Sequence, residues 1–209
     1  MKKKLLVVSD GIIHPSIPAR ARFRKFLTGI AGVDCVFARS IEAVCALGEG
    51  GFDAVTVYLH RKVISDGALK ALEDFVRGGG GFLPVHSASA SFKTRDRYFD
   101  VVGGRFIGHG RIEPFSMRRV HDGIFNGIED YTVRDELYLH EYDRTNTVHF
   151  VTDTDQGSEP QVWTRSYGKG RVCYYAPGHC APTMKHPGTI EVLARGLRWV
   201  CGLEGKKGG

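Results

Sequence analysis

The chain has 209 residues, 42% of them hydrophobic and 25% charged, which is enough apolar content for a substantial core and too little charge for a disordered polymer. Its formal charge of +6 falls to +1 without the five lysines near the ends, Lys2, Lys3, Lys4, Lys206 and Lys207. A nearly neutral body argues against a nucleic-acid partner, and no stretch is apolar and long enough to span a bilayer, which argues against a membrane protein.

The internal basic cluster Arg20, Arg22, Arg24 and Lys25 reads as a solvated helix face. Five cysteines, Cys35, Cys45, Cys173, Cys180 and Cys201, are odd in number and contain no CxxC pair, a pattern expected of reduced thiols in a cytoplasmic protein. The apolar run after Lys2–Lys4 stops at Ser9 and Asp10, short of a signal-peptide core. With no Pro/Ser-rich linker or composition shift, one domain over 1–209 is expected, with 203–209 as a disordered tail.

Taken in order, KLLVVS (4–9) is a continuous apolar run, the pattern of a parallel strand covered on both faces. Pro18 suits the first turn of a helix reaching about Gly29. VDCVFA (33–38) is the next strand, Ser40 caps a helix over IEAVCAL, and FDAVTVYLH (52–60) is strand three. Asp66 opens a helix to Arg77 with Leu69, Leu72, Phe75 and Val76 on one face. FLPVH (82–86) is strand four.

This alternation predicts an α/β fold with a doubly wound parallel sheet, whose functional rim lies at the strands' carboxyl ends. Asp10, His14, His60 and His86 fall on that rim. Beyond residue 110 the segments RIEPFSMRRV, YTVRDELYLHEY, TVHFVTDT, QVWTRSY and RVCYYAP alternate and are broken by turn signals, so mainly antiparallel strands are expected. Residues 163–175 form a hairpin turning at Gly168-Lys169-Gly170. A closing helix over about 189–201 buries Ile190, Leu193, Leu197 and Val200.

Glycines 78–81 follow a helix and open a strand, the reverse of a phosphate loop, and GxxxxGK[ST] is absent, so no nucleotide cofactor is expected. His86 stands where a strand meets a sharp turn into a helix, a place that projects a side chain over the rim. His109 and His179 each follow a glycine, and Asp135-Glu136 opens the strand-like LYLH. These groups suit acid/base work or metal ligation. Cys180 offers a thiol nucleophile, and Ser87 and Ser89 offer hydroxyls. Trp163, Tyr167, Tyr174 and Tyr175 read as core packing, with stacking on a sugar ring as the alternative.

The stretches GGGGFLPVHSAS (78–89), VVGGRFIGHG (101–110), HDGIFNGIEDYTVRDELY (121–138) and PQVWTRSYGKGRVCYYAPGH (160–179) together resemble the trehalose-utilisation (ThuA-like) family of the class I glutamine amidotransferase-like superfamily. The resemblance implies a flavodoxin-like sheet with an antiparallel extension. In glutamine amidotransferases a catalytic cysteine occupies the elbow that His86 holds here, so that activity is not implied.

The resemblance also implies a polar rim site at His86, His109, Glu136 and His179, with His14 matching a first-loop histidine. The expectation is an enzyme acting on trehalose, a related disaccharide or a keto-sugar as a hydrolase, lyase or isomerase. His86, His179 and Glu136 are its catalytic groups or its ligands to a divalent metal such as zinc. His14, His109, Ser87 and Asp10 are expected to bind substrate. The alternative is a non-catalytic sugar-binding or accessory subunit of a sugar oxidoreductase system, and a homodimer is expected by analogy.

Overall fold

The computed structural model describes residues 2–203; of the tail expected at 203–209, all but Leu203 lies outside the described residues. The chain runs β1 (Lys3–Asp10), α1 (Ile17–Thr28), β2 (Val33–Ala38), β3 (Ala54–Leu59), α2 (Asp66–Arg77), β4 (Gly81–Pro84), α3 (Asp96–Val102) and β5 (Gly104–Arg119). It continues through β6 (Tyr131–Tyr142), β7 (Thr147–Thr154), β8 (Gly157–Tyr167), β9 (Gly170–Tyr175) and α4 (Pro187–Val200).

All nine strands join one sheet in the order β2-β1-β3-β4-β9-β8-β7-β5-β6. The first five in that order run parallel and the remaining pairings are antiparallel. The mixed α/β sheet anticipated from the sequence is therefore observed, with one difference. β9, expected within the antiparallel half, closes the parallel half by lying beside β4 while forming the expected hairpin with β8, where Tyr167 faces Gly170.

The continuous apolar run of β1 reflects burial on both faces. Leu6 and Val8 face one core with Val55 and Val57, whereas Leu5 and Val7 face the other with Ala54 and Tyr58. Period-two geometry sends alternate side chains of one strand to the two cores. Gly81 begins β4 because α4 crosses there: a β-carbon on it would stand 2.1 Å from the Val200 carbonyl oxygen.

Local structure departs from expectation at several points. The Ser40 cap forms, accepting from the Glu42 N–H, but 41–46 winds as a 3-10 helix. His86–Ala90 is likewise a 3-10 turn and not the start of an α-helix. Helix α3 had no recognised signal, and Ile190 on α4 is exposed whereas Leu193, Leu197 and Val200 are buried as expected. Lys3 and Lys4 are part of β1, and Lys3 pairs with Asp53 at 2.8 Å.

Trp163, Tyr174 and Tyr175 are fully buried, and the Trp163 indole N–H donates to the Val102 carbonyl at 2.9 Å. Their role is packing, and no stacking surface for a sugar forms there. Among the described residues, no helix is long and apolar enough to cross a membrane.

β1 is flanked by β2 on one side and β3 on the other, so the chain's crossovers reverse direction beside it. The crevice at the carboxyl ends of β1 and β3 is the switch point at which open α/β sheets take up ligands. The candidate site lies there.

Candidate functional site

His86 adopts φ +48°, a region that residues other than glycine, asparagine and aspartate seldom enter and that costs energy to hold. Several contacts hold it. The Tyr174 hydroxyl donates to its carbonyl at 3.1 Å, its ring stacks on Tyr138 with centroids 4.2 Å apart, and Gly178 closes over it. A β-carbon on Gly178 would stand 2.8 Å from that of His86, so the glycine before His179 makes room for the elbow. Tyr58 donates to the Gly178 carbonyl and fixes this segment from below.

The Nδ1–H of His86 donates to the Ala176 carbonyl at 2.8 Å. That bond fixes the tautomer and leaves Nε2 as a bare lone pair. Although His86 is wholly buried, Nε2 has no hydrogen-bond partner among the described residues, and neither does Glu136 Oε2, which lies 3.8 Å away. Unpaired buried polar atoms are costly and demand an explanation.

Two further imidazoles complete the group. His179 Nδ1 is 3.4 Å from Glu136 Oε1 and 3.2 Å from His14 Nδ1. Asp135, buried on β6, clamps the segment that carries His179. Its carboxylate accepts the N–H groups of Glu136 at 2.8 Å, His179 at 2.9 Å and Cys180 at 3.1 Å. The loop bearing His14 is tied to the same segment through the Ser16 hydroxyl, which donates to the His179 carbonyl at 3.0 Å and caps α1.

The four potential ligand atoms of His14, His86, Glu136 and His179 lie within 4.8 Å of one another. Metal–ligand bonds of about 2.0–2.1 Å in a tetrahedral site place neighbouring ligand atoms roughly 3.3 Å apart. The separations of 3.2 Å between His14 and His179 and 3.4 Å between His179 and Glu136 Oε1 match that spacing, whereas His86 Nε2 stands 3.8 Å from the other Glu136 oxygen and would move inward to join a bound ion. Three imidazole nitrogens and one carboxylate oxygen form a donor set suited to zinc and similar divalent ions.

Electrostatics agree with neutral imidazoles at His86 and His14. Burial lowers the His86 pKa well below the usual histidine range, with the Ala176 carbonyl opposing and His179 and His14 reinforcing it. Burial, followed by repulsion from His179, lowers that of His14. Burial raises the Glu136 carboxyl, against the pull of His179 and His109.

The structure brings together His86, His179 and Glu136, expected as catalytic or metal-binding groups, and adds His14, expected to bind substrate. His109 is exposed, its ring 5.9 Å from Tyr138 and its Nδ1 bonded to the Gly110 carbonyl. It stands at the mouth. Asp10 is turned toward Arg20, Arg39 and Arg61, so it does not present a free carboxylate to substrate. Ser87 is fully buried and its hydroxyl has no partner among the described residues.

Burial, followed by the charges of Asp135 and Glu136, pushes the Cys180 thiol up to about 11, so it is not poised as a thiolate nucleophile. Ser89 bonds within the core to Tyr174 at 2.7 Å.

The family model for trehalose utilisation (ThuA) matches residues 4–200. The chain belongs to the trehalose utilisation family. The fold is similar to that of a ThuA-like protein from Parabacteroides merdae, with TM-score 0.83 and 16% identity over 100% of this chain and 92% of that one. A ThuA-like protein from Bacteroides uniformis gives TM-score 0.78 and 16% identity over 95% and 91%. A cytoplasmic protein from Salmonella typhimurium gives 0.64 and 14% over 96% and 98%. No curated protein matches the sequence.

In this member of the trehalose utilisation family the groups missed from sequence were Asp135 as the clamp, Tyr138 as the floor and His14 as the fourth member of the cluster. Asp135 and Tyr138 flank the recognised Glu136 on one strand, but nothing in the linear pattern shows that Asp135 reaches the 178–180 segment. His14 lies four residues past the end of β1, and its signals were that strand-end position and its match to a first-loop histidine of the family.

Proposed function

We propose that this chain is a carbohydrate-acting enzyme of the trehalose utilisation family, in which His14, His86, Glu136 and His179 hold a divalent metal such as zinc at the floor of the switch-point crevice. The observation that carries this reading is the pair of buried, unpartnered atoms, His86 Nε2 and Glu136 Oε2, facing each other beside two more imidazoles. Bound there, such an ion would supply Lewis-acid polarisation of a sugar oxygen that enters as a further ligand.

The chain's own groups divide the remaining work. Asp135 and Tyr58 hold the 178–180 segment, and Gly178 and Tyr138 hold the His86 ring. His109 at the mouth is placed to meet the outer part of a substrate. The family, trehalose utilisation, supports a disaccharide as the substrate class, with a keto-sugar derivative as the finer reading.

The test is mass spectrometry of trehalose and keto-disaccharides incubated with the zinc-loaded protein, its Glu136→Gln variant and its His86→Ala variant. A new product from the wild type alone supports the reading. Saturable binding of unchanged sugar supports instead a non-catalytic accessory subunit.

A further inference from the structure

Beside the four-residue cluster lies a hollow of about 360 Å³ bounded by Asp10, His14, Arg39, His60 and Arg61. It shares His14 with the cluster, and the His14 and His60 rings are 6.0 Å apart. Its walls are the carboxyl ends of three adjacent parallel strands: Asp10 closes β1, Arg39 follows β2, and His60 and Arg61 follow β3.

The charge of this hollow is lopsided. One carboxylate, Asp10, receives three guanidiniums: Arg39 at 3.2 Å, Arg20 at 3.7 Å and Arg61 in closer contact. Three guanidinium forks carry more N–H donors than the two oxygens of Asp10 can accept. Arg39 stands near enough to Arg20 for its charge to lower the proton affinity of Arg20, and Lys93 and Lys62 add positive charge around His60.

The Arg39 side chain is 83% exposed and that of Arg61 46% exposed, while Asp10 is 13% exposed. The carboxylate is thus the buried anchor that aims the arginines, and their outer edges face the hollow. Planar guanidiniums bind carboxylates and phosphates through paired N–H bonds.

We propose that this hollow is an anion subsite, and that the substrate is a sugar bearing a carboxylate or phosphate gripped by Arg39 and Arg61 while its reacting end reaches His14 and His179. The inference rests on the metal-site reading only for where the reacting end sits; the grip on the anion stands by itself. It adds to the proposed substrate class an anionic group that trehalose lacks.

The test is calorimetric titration of the full chain, chelator-treated and zinc-reloaded in parallel, with glucuronate, glucose 6-phosphate and trehalose. The wild type should bind one of the two anionic sugars at least about tenfold more tightly than trehalose in both metal states, the loss expected when a charged hydrogen bond is removed. Whichever of the two binds more tightly identifies the anion as carboxylate or phosphate.

Arg39→Gln and Arg61→Gln should lose that preference with zinc affinity unchanged, and Arg39→Lys should restore only part of it. Circular dichroism of each variant establishes that it is folded. Zinc binding with no preference for the anions overturns the subsite and leaves the metal reading standing. Preference for an anion without zinc binding supports the subsite and overturns the metal reading.

Discussion

Gly178 packs so closely on His86 that a β-carbon added to the glycine would stand 2.8 Å from the β-carbon of the histidine. The relationship couples two segments distant in sequence, the elbow after β4 and the segment after β9. It explains why one of the cluster's imidazoles can hold φ +48° while another follows directly after the glycine.

Gly178→Ala is therefore expected to act as an overpacking substitution at the elbow. Unfolding in denaturant should show a loss of roughly 1–3 kcal/mol, and zinc affinity should fall with it because the His86 ring is displaced. An alanine variant that binds zinc as the wild type does would mean that this contact does not position His86.

Asp135→Asn tests the clamp. One carboxylate accepts three backbone N–H groups, and an amide has a single acceptor oxygen, so at least one of those donors loses its partner. The expected cost is about 1–3 kcal/mol, read as faster amide hydrogen exchange at His179 and Cys180 with the rest of the sheet unchanged.

Acid sensitivity has a definite sign at His149. Its ring is buried, bonded through Nε2 to the Thr164 hydroxyl at 2.8 Å and flanked by His121, and burial, followed by the His121 charge, lowers its pKa to about 4. The unfolded chain takes up this proton near the ordinary value of 6.5, so the contribution is fully present above about pH 6.5 and is lost as the pH falls toward 4. The amount is roughly 3 kcal/mol. His149→Gln, which keeps a side-chain partner for Thr164 and cannot titrate, should flatten the stability–pH slope in that window; an unchanged slope would assign the acid sensitivity elsewhere.

Cys180 sits beside His179 yet has its thiol pushed up to about 11. Iodoacetamide at pH 7.5 should modify it slowly, and Cys180→Ser should retain wild-type zinc binding and turnover. Rapid alkylation that abolishes turnover would restore the thiol as a candidate nucleophile.

The parallel half of the sheet was legible in the sequence because buried strands such as Leu5–Val8 carry a continuous apolar run bounded by turn residues. β6 and β7 were legible through alternation. α3 was not, because its seven residues are too few to display a helical period. The place of β9 beside β4 was hidden because an alternating strand pattern does not state whether its neighbour runs parallel or antiparallel.

At the site, strand ends placed His14, His86 and His179 on the rim, but that His14 and not His109 would join Glu136 was a tertiary matter. β5 carries irregularities in register around His109 that leave its ring exposed at the mouth. The pairing of Asp10 with Arg20, Arg39 and Arg61 joins the ends of three strands and a helix, and no local pattern records it.

The most direct measurement is equilibrium dialysis of the chelator-treated protein against zinc, with metal content read by elemental analysis, for the wild type, His86→Ala and Glu136→Ala. About one ion per wild-type chain is expected, as a single four-ligand site requires, with loss of that ion in both variants while each remains folded. A wild type that retains no ion, or variants that retain it undiminished, would contradict the central claim that the unpartnered atoms of His86 and Glu136 are metal ligands.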